Sequence, residues 1–351
     1  MKRIVHVVGT GTIGEPLIGL LAEYRKEFGL DEVTFHKRTP LSHERAKVES
    51  LIRRGANLAV DPSTRAEFER LGHRPAYEAR EALERASVVI DCTPAGNENK
   101  KVYREVRGPL GFICQGSEFG FGKMYARGIN DEALVRDEDR FIHVVSCNTH
   151  NLAVVIKTLA NGPDGTMALD QARFICMRRA NDVSQDKDFI PAPKVSKHDD
   201  PRFGTHQARD AYHLFKTLGH DLNVYSSSVK VPTNQMHTIW FDVSLTRPTS
   251  RQEALDRFRA NRRVAMTEKT SCTLVFSFGR DHGYFGRILS QTVVSEPTVT
   301  MRGDREVLGF CFTPQDGNAL LSSVAATLWF LYPEGFEERI DCLRPYLFRE
   351  V

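Results

Sequence analysis

Cys147 is the first residue whose type and surroundings suggest chemistry. Val144 and Val145 precede it and a small polar run with Leu152 behind it follows, as at a strand end that meets a helix. The unpaired N–H groups and the positive dipole end of a helix N-terminus favour a thiolate, so we expect a nucleophile with a pKa below the roughly 8.5 of a free thiol. The alternative is a small buried side chain, since free cysteine is among the most buried residue types.

A glycine-rich turn near the N-terminus has the pattern of a dinucleotide site. The motif G-x-G-x-x-G at 9–14 directly follows the apolar run 3–8 and opens an amphipathic segment. In this motif the first glycine allows a tight turn, the second lets the backbone approach a pyrophosphate, and the third lets the helix pack closely on the strand. The residues that we assign to cofactor binding here are Gly9, Gly11, Thr12, Ile13 and Gly14.

The end of the second strand, expected within 32–40, bears on the choice of cofactor. Sites for NAD usually carry Asp or Glu at this place, where the carboxylate binds the ribose 2′-hydroxyl. Here the segment 36–40 contains Lys37 and Arg38 and no carboxylate. Because cations suit a 2′-phosphate, the pattern favours NADP, with NAD possible. The alternative interpretation is a solvated basic loop.

Strand-like runs alternate with helical segments through the first part of the chain. Helical patterns lie at 43–54 and 78–85, and strand-like runs lie at 87–96, 111–122 and 140–147. This alternation is typical of an α/β fold with a parallel, doubly wound sheet, that is, a Rossmann dinucleotide-binding domain.

After residue 147 the pattern changes to long strand-like runs separated by few helices. The runs lie at 171–180, 222–232, 237–246, 272–278 and 306–314, and helices are expected at 250–261 and 317–333. This pattern indicates an α+β catalytic domain with a mostly antiparallel sheet. We therefore expect an NADP-binding Rossmann domain at 1–146, completed by a C-terminal helix within 316–351, and a catalytic domain at 147–315.

Composition and charge argue against several classes of protein. The 351 residues carry a net charge of +3 with basic and acidic residues interspersed, which argues against a nucleic-acid partner. The apolar runs are too short for a membrane span or a signal peptide. The seven cysteines are odd in number and contain no C-x-x-C, so we expect a cytoplasmic protein without a metal site.

The motifs taken together resemble the archaeal-type (type II) glyceraldehyde-3-phosphate dehydrogenase family. The matching segments follow the family's order and are GTGTIG (9–14), HKRTP (36–40), DCTPAG (91–96), QGSE (115–118), SCNTHNL (146–152), RRANDV (178–183) and VPTNQMH (231–237). The resemblance implies an NAD(P)-dependent aldehyde dehydrogenase whose cofactor is also held by Thr93, Pro94 and Gly116. It further implies a homotetramer, with a small phosphorylated aldehyde and inorganic phosphate as partners.

The implied chemistry runs through a cysteine thioester. Cys147 would attack the aldehyde, His237 would take the proton of the hemithioacetal, and the neighbouring Asn148 could stabilise the oxyanion. The candidates for holding phosphate groups are Thr149, Arg178, Arg179 and His206. Neighbouring strand residues face opposite ways, so only one of the two arginines should face the site and the other should be structural. His237 could instead be a strand histidine satisfied by the backbone.

Three segments depart from the family's pattern. His150 and Asn151 replace a threonine and a glycine, QGSE lacks the lysine that usually follows it, and 313–323 lacks the family's proline and asparagine at their expected places. The simplest expectation is a dehydrogenase for glyceraldehyde 3-phosphate, and the enzyme alternative is a paralogue for another phosphorylated or phosphonylated aldehyde. A catalytically silent NADP-binding regulator is the remaining alternative, against which the retention of Cys147 and His237 argues.

Overall fold

The chain forms two compact units. A computed structural model describes residues 2–162, 165–183, 185–186 and 189–351. The first unit consists of Met1–Lys123, Leu134–Val144 and Leu320–Leu343, and the second of Met124–Ala133, Val145–Ala319 and Arg344–Val351.

The helices and strands are numbered along the chain. The strands are β1 (Ile4–Val8), β2 (Glu32–His36), β3 (Asn57–Val60), β4 (Tyr77–Glu78), β5 (Val88–Asp91), β6 (Gly111–Gly116), β7 (Lys123–Tyr125), β8 (Phe141–Val145), β9 (Leu169–Arg179), β10 (Lys194–Val195), β11 (Val224–Val231), β12 (His237–Leu245), β13 (Val264–Thr267), β14 (Thr292–Arg302) and β15 (Glu306–Thr313). The α-helices are α1 (Gly14–Glu23), α2 (Arg45–Arg53), α3 (Arg65–Arg70), α4 (Ala79–Arg85), α5 (Gly96–Glu105), α6 (Cys147–Ala160), α7 (His206–Lys216), α8 (Arg251–Ala260), α9 (Cys272–His282), α10 (Gly317–Leu331) and α11 (Phe336–Ile340).

The sheet of the first unit is the predicted doubly wound one. Its strand order is β4-β3-β2-β1-β5-β6-β8-β7, and β1 pairs in parallel with β2 on one side and with β5 on the other. Val5 in β1 lies opposite Val33 and Val88, and all three side chains are fully buried, as expected for a parallel strand covered on both faces. The chain order reverses beside β1, so the loops after β1, β2 and β5 meet at one edge of the sheet.

The second unit is built on a mostly antiparallel sheet, as predicted. Its strand order is β10-β11-β9-β12-β15-β14-β13. The β9–β12, β12–β15, β14–β15 and β10–β11 pairs are antiparallel, whereas β9–β11 and β13–β14 are parallel. The inner face packs on α6, α7 and α8; for example, the rings of Phe241 in β12 and Phe258 in α8 have centroids 6.0 Å apart.

One predicted strand is wrong. The segment 272–278 belongs to α9, because its buried side chains recur at helical rather than at alternating spacing. Val275 is fully buried while Leu274 remains half exposed, and Cys272 and Phe276 pack against the same cluster as Val275. Neither α7 nor β14 was predicted: polar side chains interrupt the apolar pattern of α7, and a proline lies inside β14.

In the described part of the chain, no helix has both the length and the apolar character needed to cross a membrane.

Candidate functional site

The loop after β1 has the geometry that a dinucleotide fingerprint requires. Gly9 adopts φ +94° and its N–H donates to the carbonyl of His36 at 3.1 Å. A Cβ on Gly14 would lie 2.1 Å from the Gly9 carbonyl oxygen, whereas a Cβ on Gly11 would meet no described atom within 4 Å. The first glycine thus makes the turn, the last permits close packing, and the backbone at Gly11 is open to a ligand. Thr12 and Ile13 complete the turn, and Ile13 is the residue before α1.

A cavity of about 650 Å³ adjoins this loop and brings together five of the residues predicted to bind the cofactor. Those five are Gly9, Lys37, Arg38, Thr93 and Pro94. Gly116, also predicted, is not in its wall; it ends β6 with φ +87°, and its carbonyl lies 2.9 Å from Nε2 of His143. Five of the predicted residues therefore line the cavity, whereas Gly116 lies outside its wall.

Buried Asp91 shapes the loop after β5. One of its carboxylate oxygens accepts the backbone N–H of Thr93 at 2.8 Å and the hydroxyl of the same residue at 2.6 Å. The other oxygen accepts from the amide of Asn99 at 2.8 Å and from the hydroxyl of Tyr103 at 2.7 Å. One side chain, Asp91, thus binds the loop residue Thr93 and also binds Asn99 and Tyr103 in α5.

Lys37 is not the free cation that the sequence suggested. It is buried and paired with Glu44, which also lies 2.8 Å from Nζ of Lys47. Burial alone would raise the pKa of Glu44, but hydrogen bonds from Lys37 and Lys47 hold it below its usual value. Arg38 is exposed in the cavity wall and forms no ion pair with the residues that the structure describes. A carboxylate is therefore present beside the end of β2, although it comes from the following turn rather than from the strand.

The second unit presents Cys147 where the sequence placed it. Strand β8 ends at Val145, Ser146 caps the next helix, and α6 begins at Cys147. The amide of Asn318, at the start of α10, donates to the carbonyl oxygen of Cys147 at 2.9 Å and to that of Gln291 at 3.1 Å. The backbone that carries the thiol is thus fixed by a fully buried side chain.

Arg179 is the centre of the polar cluster around the thiol. Its buried guanidinium donates to Gln315 Oε1 and Asp182 Oδ1, each at 2.9 Å, and to both carboxylate oxygens of Asp316 at 3.3 Å. Its backbone N–H donates to Nδ1 of His237 at 3.0 Å. Arg179 therefore links the end of β9, the segment between β15 and α10, and the first residue of β12.

His237 is held in one tautomer by this hydrogen bond. A backbone N–H can only donate, so Nδ1 accepts and the neutral ring carries its proton on Nε2. Burial, together with the charges of Arg179 and Arg178, lowers the pKa of His237 well below its usual value. The ring is therefore neutral near pH 7 and offers a donor at Nε2, which fits stabilisation of an oxyanion better than the predicted role of a base.

The surroundings of Cys147 raise the pKa of its thiol, whereas the sequence led us to expect a lowered pKa. Burial raises the pKa of Cys147 to about 12, and Asp316 and Asp182 also raise it. Arg179 and the backbone N–H of Asn148 act in the opposite direction but are outweighed. The prediction of a thiolate at neutral pH is thus wrong for this structure, because burial, together with the two carboxylates, outweighs the opposing effects of Arg179 and the backbone N–H of Asn148.

The polar residues after Cys147 tie α6 to β15. Asn148 Oδ1 accepts from the hydroxyl of Thr313 at 3.1 Å, and the amide of Asn151 donates to the same hydroxyl oxygen at 3.0 Å. Thr149 is fully buried, and its backbone N–H and hydroxyl both pair with Ser146 in the helix cap. Asn148 thus stays beside the thiol, whereas the predicted phosphate ligand Thr149 is engaged within the helix cap.

Arg178 and His206 line a separate cavity of about 560 Å³. The two neighbouring arginines of β9 therefore have different surroundings, as strand alternation predicted: Arg179 is held in the polar cluster and Arg178 lines the cavity. Burial, with the charges of Arg178 and Arg209, lowers the pKa of His206 to about 4, so this ring is neutral near pH 7. Of the four predicted phosphate ligands, Arg178 and His206 thus line this cavity.

Sequence reasoning missed several residues of the cluster. Gln315, Asp316 and Asn318 lie in 313–323, the segment that departs from the family's pattern, and that departure was the signal that could have found them. Glu44 was missed because it lies in the turn after β2, whereas the motif places its carboxylate at the end of the strand. Within the described ranges, no group of His, Cys, Asp and Glu side chains has the arrangement of a metal site.

The sequence was compared with protein families and with curated proteins. No family model matches the chain. It is 27% identical over 315 residues to a glyceraldehyde-3-phosphate dehydrogenase of Metallosphaera sedula, covering 87% of this chain and 86% of that protein. It is 26% identical over 339 residues to glyceraldehyde-3-phosphate dehydrogenase 2 of Methanosarcina barkeri, covering 93% and 91%.

The chain is thus similar to archaeal glyceraldehyde-3-phosphate dehydrogenases at 26–27% identity over most of its length. A third such relative, from Pyrobaculum calidifontis, is 27% identical over 317 residues, which is 86% of this chain and 84% of that dehydrogenase. The compared lengths, 86–93% of the chain, extend over both units.

Cofactor choice can be tested at the end of β2. Replacing Arg38 with Ala should weaken NADP binding about tenfold or more and leave NAD nearly unchanged, because a charge-assisted contact to the 2′-phosphate is lost. Glu44→Gln should tighten NADP by releasing Lys37, and Arg74→Ala, an exposed arginine outside the cavity wall, serves as the control. Calorimetric titration with both cofactors measures this, and equal affinities in the unaltered protein would contradict the NADP preference.

The ionisation of Cys147 can be tested by alkylation. Since its pKa lies near 12, the rate with iodoacetamide should rise about tenfold per pH unit from pH 7 to 10 without a plateau. Asp316→Asn should raise the rate at pH 8 by roughly tenfold, the effect of about one pKa unit, whereas exposed Asp304→Asn should not. Peptide mass spectrometry identifies the labelled residue, and a plateau near pH 8 in the unaltered protein would restore the interpretation made from the sequence.

Proposed function

We propose that this protein is an NAD(P)-dependent, phosphorylating aldehyde dehydrogenase that acts through a thioester on Cys147, with glyceraldehyde 3-phosphate as the first candidate substrate. The observation that carries the proposal is the cluster in which Cys147 begins a helix beside Arg179, and Arg179 orients a neutral His237. The glycine loop at 9–14 and the similarity to named glyceraldehyde-3-phosphate dehydrogenases support it.

The chemistry begins with loss of the thiol proton to solvent. The Cys147 sulfur then forms a bond to the aldehyde carbon, and the carbonyl electron pair moves to oxygen as an alkoxide. His237 Nε2–H donates to this oxygen and the positive charge of Arg179 lies nearby, so both favour the tetrahedral state over the flat carbonyl. Because the alkoxide expels hydride directly, no protein base is needed at that step.

A nicotinamide dinucleotide, when bound, would supply the hydride acceptor, and loss of hydride from the alkoxide would leave a thioester on Cys147. The residues of the Gly9 loop and of the 650 Å³ cavity wall would hold the dinucleotide. A phosphate oxygen then attacks the thioester carbon, the sulfur leaves as thiolate, and the acyl phosphate departs. Arg178 and His206, which line the 560 Å³ cavity, would hold phosphate groups during this exchange.

A paralogue for a different phosphorylated or phosphonylated aldehyde is the second candidate. The observation that favours it is the change in polar side chains around the thiol, where Asn151 and Thr313 form a buried network and Asp316 pairs with Arg179. These residues alter the polarity near the reacting carbon without removing Cys147 or His237.

A spectrophotometric assay tests the proposal. The purified protein is mixed with NADP or NAD, inorganic phosphate and a panel of aldehydes that includes glyceraldehyde 3-phosphate, and reduced cofactor is followed by absorbance. Cys147→Ser should abolish turnover and spare cofactor binding, because a hydroxyl is a far poorer nucleophile. Cys272→Ser, at another partly buried cysteine of the same unit, should leave turnover unchanged. Full activity of Cys147→Ser would overturn the proposal.

The role of His237 can be separated from that of a base. His237→Ala should lower kcat about 10²–10³-fold, the usual cost of one oxyanion donor, whereas His237→Gln, which keeps an N–H, should lose much less. A base would be lost equally in both variants, so equal losses would contradict the donor role. Both variants are compared by single-turnover measurement of cofactor reduction.

A further inference from the structure

A chain of four hydrogen-bonded side chains leads through the core of the second unit to the residue after the thiol. Its members, in order, are Cys311, Asn151, Thr313 and Asn148. The first three are fully buried, and Asn148 is 5% exposed. An unpaired polar group is costly in such surroundings, so each of these hydrogen bonds is strongly favoured. Asn151 replaces a glycine of the family's pattern, and Thr313 lies in the segment that departs from it.

The hydrogen bonds of this chain all run in one direction. The Cys311 thiol donates to Oδ1 of Asn151 at 3.1 Å, and the Asn151 amide nitrogen donates to Oγ1 of Thr313 at 3.0 Å. A hydroxyl has one proton, and that of Thr313 goes to Oδ1 of Asn148 at 3.1 Å. The oxygen of the Asn148 side chain is therefore engaged. No residue that the structure describes accepts from its amide nitrogen, which keeps two protons for a ligand.

Cys311 sets this direction at the buried end of the chain. Burial raises the pKa of Cys311 to about 12, so the thiol keeps its proton near pH 7 and can donate it. Its contact with the carbonyl of Ile239, at 3.7 Å, is longer than that with Asn151. Only the oxygen of an amide accepts a proton, so Asn151 presents its oxygen to the thiol and its nitrogen to Thr313. If Asn151 turned over, Thr313 would donate to it and Asn148 would lose its partner.

The far end of the chain lies close to both the nucleophile and the imidazole. Thr313 in β15 is paired directly with His237 in β12. The side chains of such a pair share one face of the sheet, with Cβ atoms about 4.5–5.5 Å apart. Asn148 follows Cys147 in α6, and its backbone N–H lowers the pKa of the thiol, which places it within reach of the sulfur. The Asn148 amide is thus near the position where the alkoxide forms.

We propose that the amide nitrogen of Asn148 and Nε2–H of His237 together form a two-donor oxyanion site. The other members of the chain, Cys311, Asn151 and Thr313, are positioning residues that set the orientation of this amide. The inference rests on the proposed function for its substrate. Two N–H groups that are already oriented stabilise an alkoxide without reorganising as it forms, which is the property that an oxyanion site requires.

Acylation of Cys147 by 4-nitrophenyl acetate isolates this role. The sulfur attacks the ester carbonyl, an oxyanion forms and collapses, and nitrophenolate leaves. Alkylation of the same sulfur by iodoacetamide displaces iodide and forms no oxyanion. Asn148→Ala should slow acylation about 10²–10³-fold, the usual cost of one oxyanion donor, and leave the alkylation rate nearly unchanged. Nitrophenolate absorbance and peptide mass spectrometry follow the two reactions at pH 8.

Variants of Thr313 test the positioning. Thr313→Val keeps the shape of the side chain but loses its hydroxyl, so acylation should slow about tenfold or more, whereas Thr313→Ser should retain the rate. In the Asn148→Ala background, Thr313→Val should have no further effect, because it acts through Asn148. Thr267→Val is the matched control, since Thr267 is a buried strand threonine of the same unit whose hydroxyl donates to the carbonyl of Val351.

Equal slowing of acylation and alkylation by Thr313→Val would indicate a purely structural role and overturn the proposal. Additive losses in the double variant would do the same, as would failure of the ester to acylate Cys147 in the unaltered protein. The ester reaction needs neither a dinucleotide nor an aldehyde. A protein that is acylated as expected but reduces neither cofactor with any aldehyde would therefore count against the proposed function alone.

Discussion

The buried guanidinium of Arg179 is the group around which the second unit arranges its polar residues. A charge removed from water costs several kcal/mol unless carboxylates and hydrogen bonds compensate it. Here Asp316, Asp182 and Gln315 surround it, which fixes the short segment between β15 and α10. The same residue's backbone sets the tautomer of His237. Replacing the Arg179 side chain would therefore leave the two carboxylates uncompensated, whereas the hydrogen bond to His237 comes from the backbone and does not depend on the guanidinium.

The same cluster contains groups that raise and groups that lower the pKa of the Cys147 thiol. Arg179 favours the thiolate of Cys147, while burial, Asp316 and Asp182 favour the protonated thiol and prevail. A protonated thiol reacts slowly with oxidants and alkylating agents, so these surroundings protect the Cys147 side chain. Whatever neutralises Asp316 or adds positive charge near the sulfur raises the reactive fraction. Burial and the acidic partners of Arg179 thus both hold the Cys147 thiol in its protonated form.

Much of the architecture was predictable because each signal was local. The glycine spacing at 9–14, the β-branched core strands and the strand end before Cys147 are short patterns whose structural meaning depends little on distant residues. The segment 272–278 was mispredicted because a short apolar run does not distinguish a strand from a helix, and here packing of Val275 decided it.

The ion pairs could not be predicted in the same way. Glu44 on Lys37 and Asp316 on Arg179 depend on loops that return a carboxylate to a cation from 7 and 137 residues away. Each pairing changes a functional expectation: the first occupies a cation assigned to the 2′-phosphate, and the second raises the pKa of the nucleophile. The sequence indicated candidate site residues such as Cys147 and His237, whereas their ion-pair partners and charge balance required the fold.

Direct capture of the acyl-enzyme tests the central claim, that Cys147 carries a thioester. The protein would be mixed with aldehyde and oxidised cofactor in the absence of phosphate, quenched in acid, digested and examined by mass spectrometry. The account predicts that the peptide containing Cys147 gains the mass of the acyl group, that hydroxylamine removes it, and that added phosphate prevents its accumulation. Cofactor reduction without any acyl group on Cys147, or with the acyl group on another residue, would contradict it.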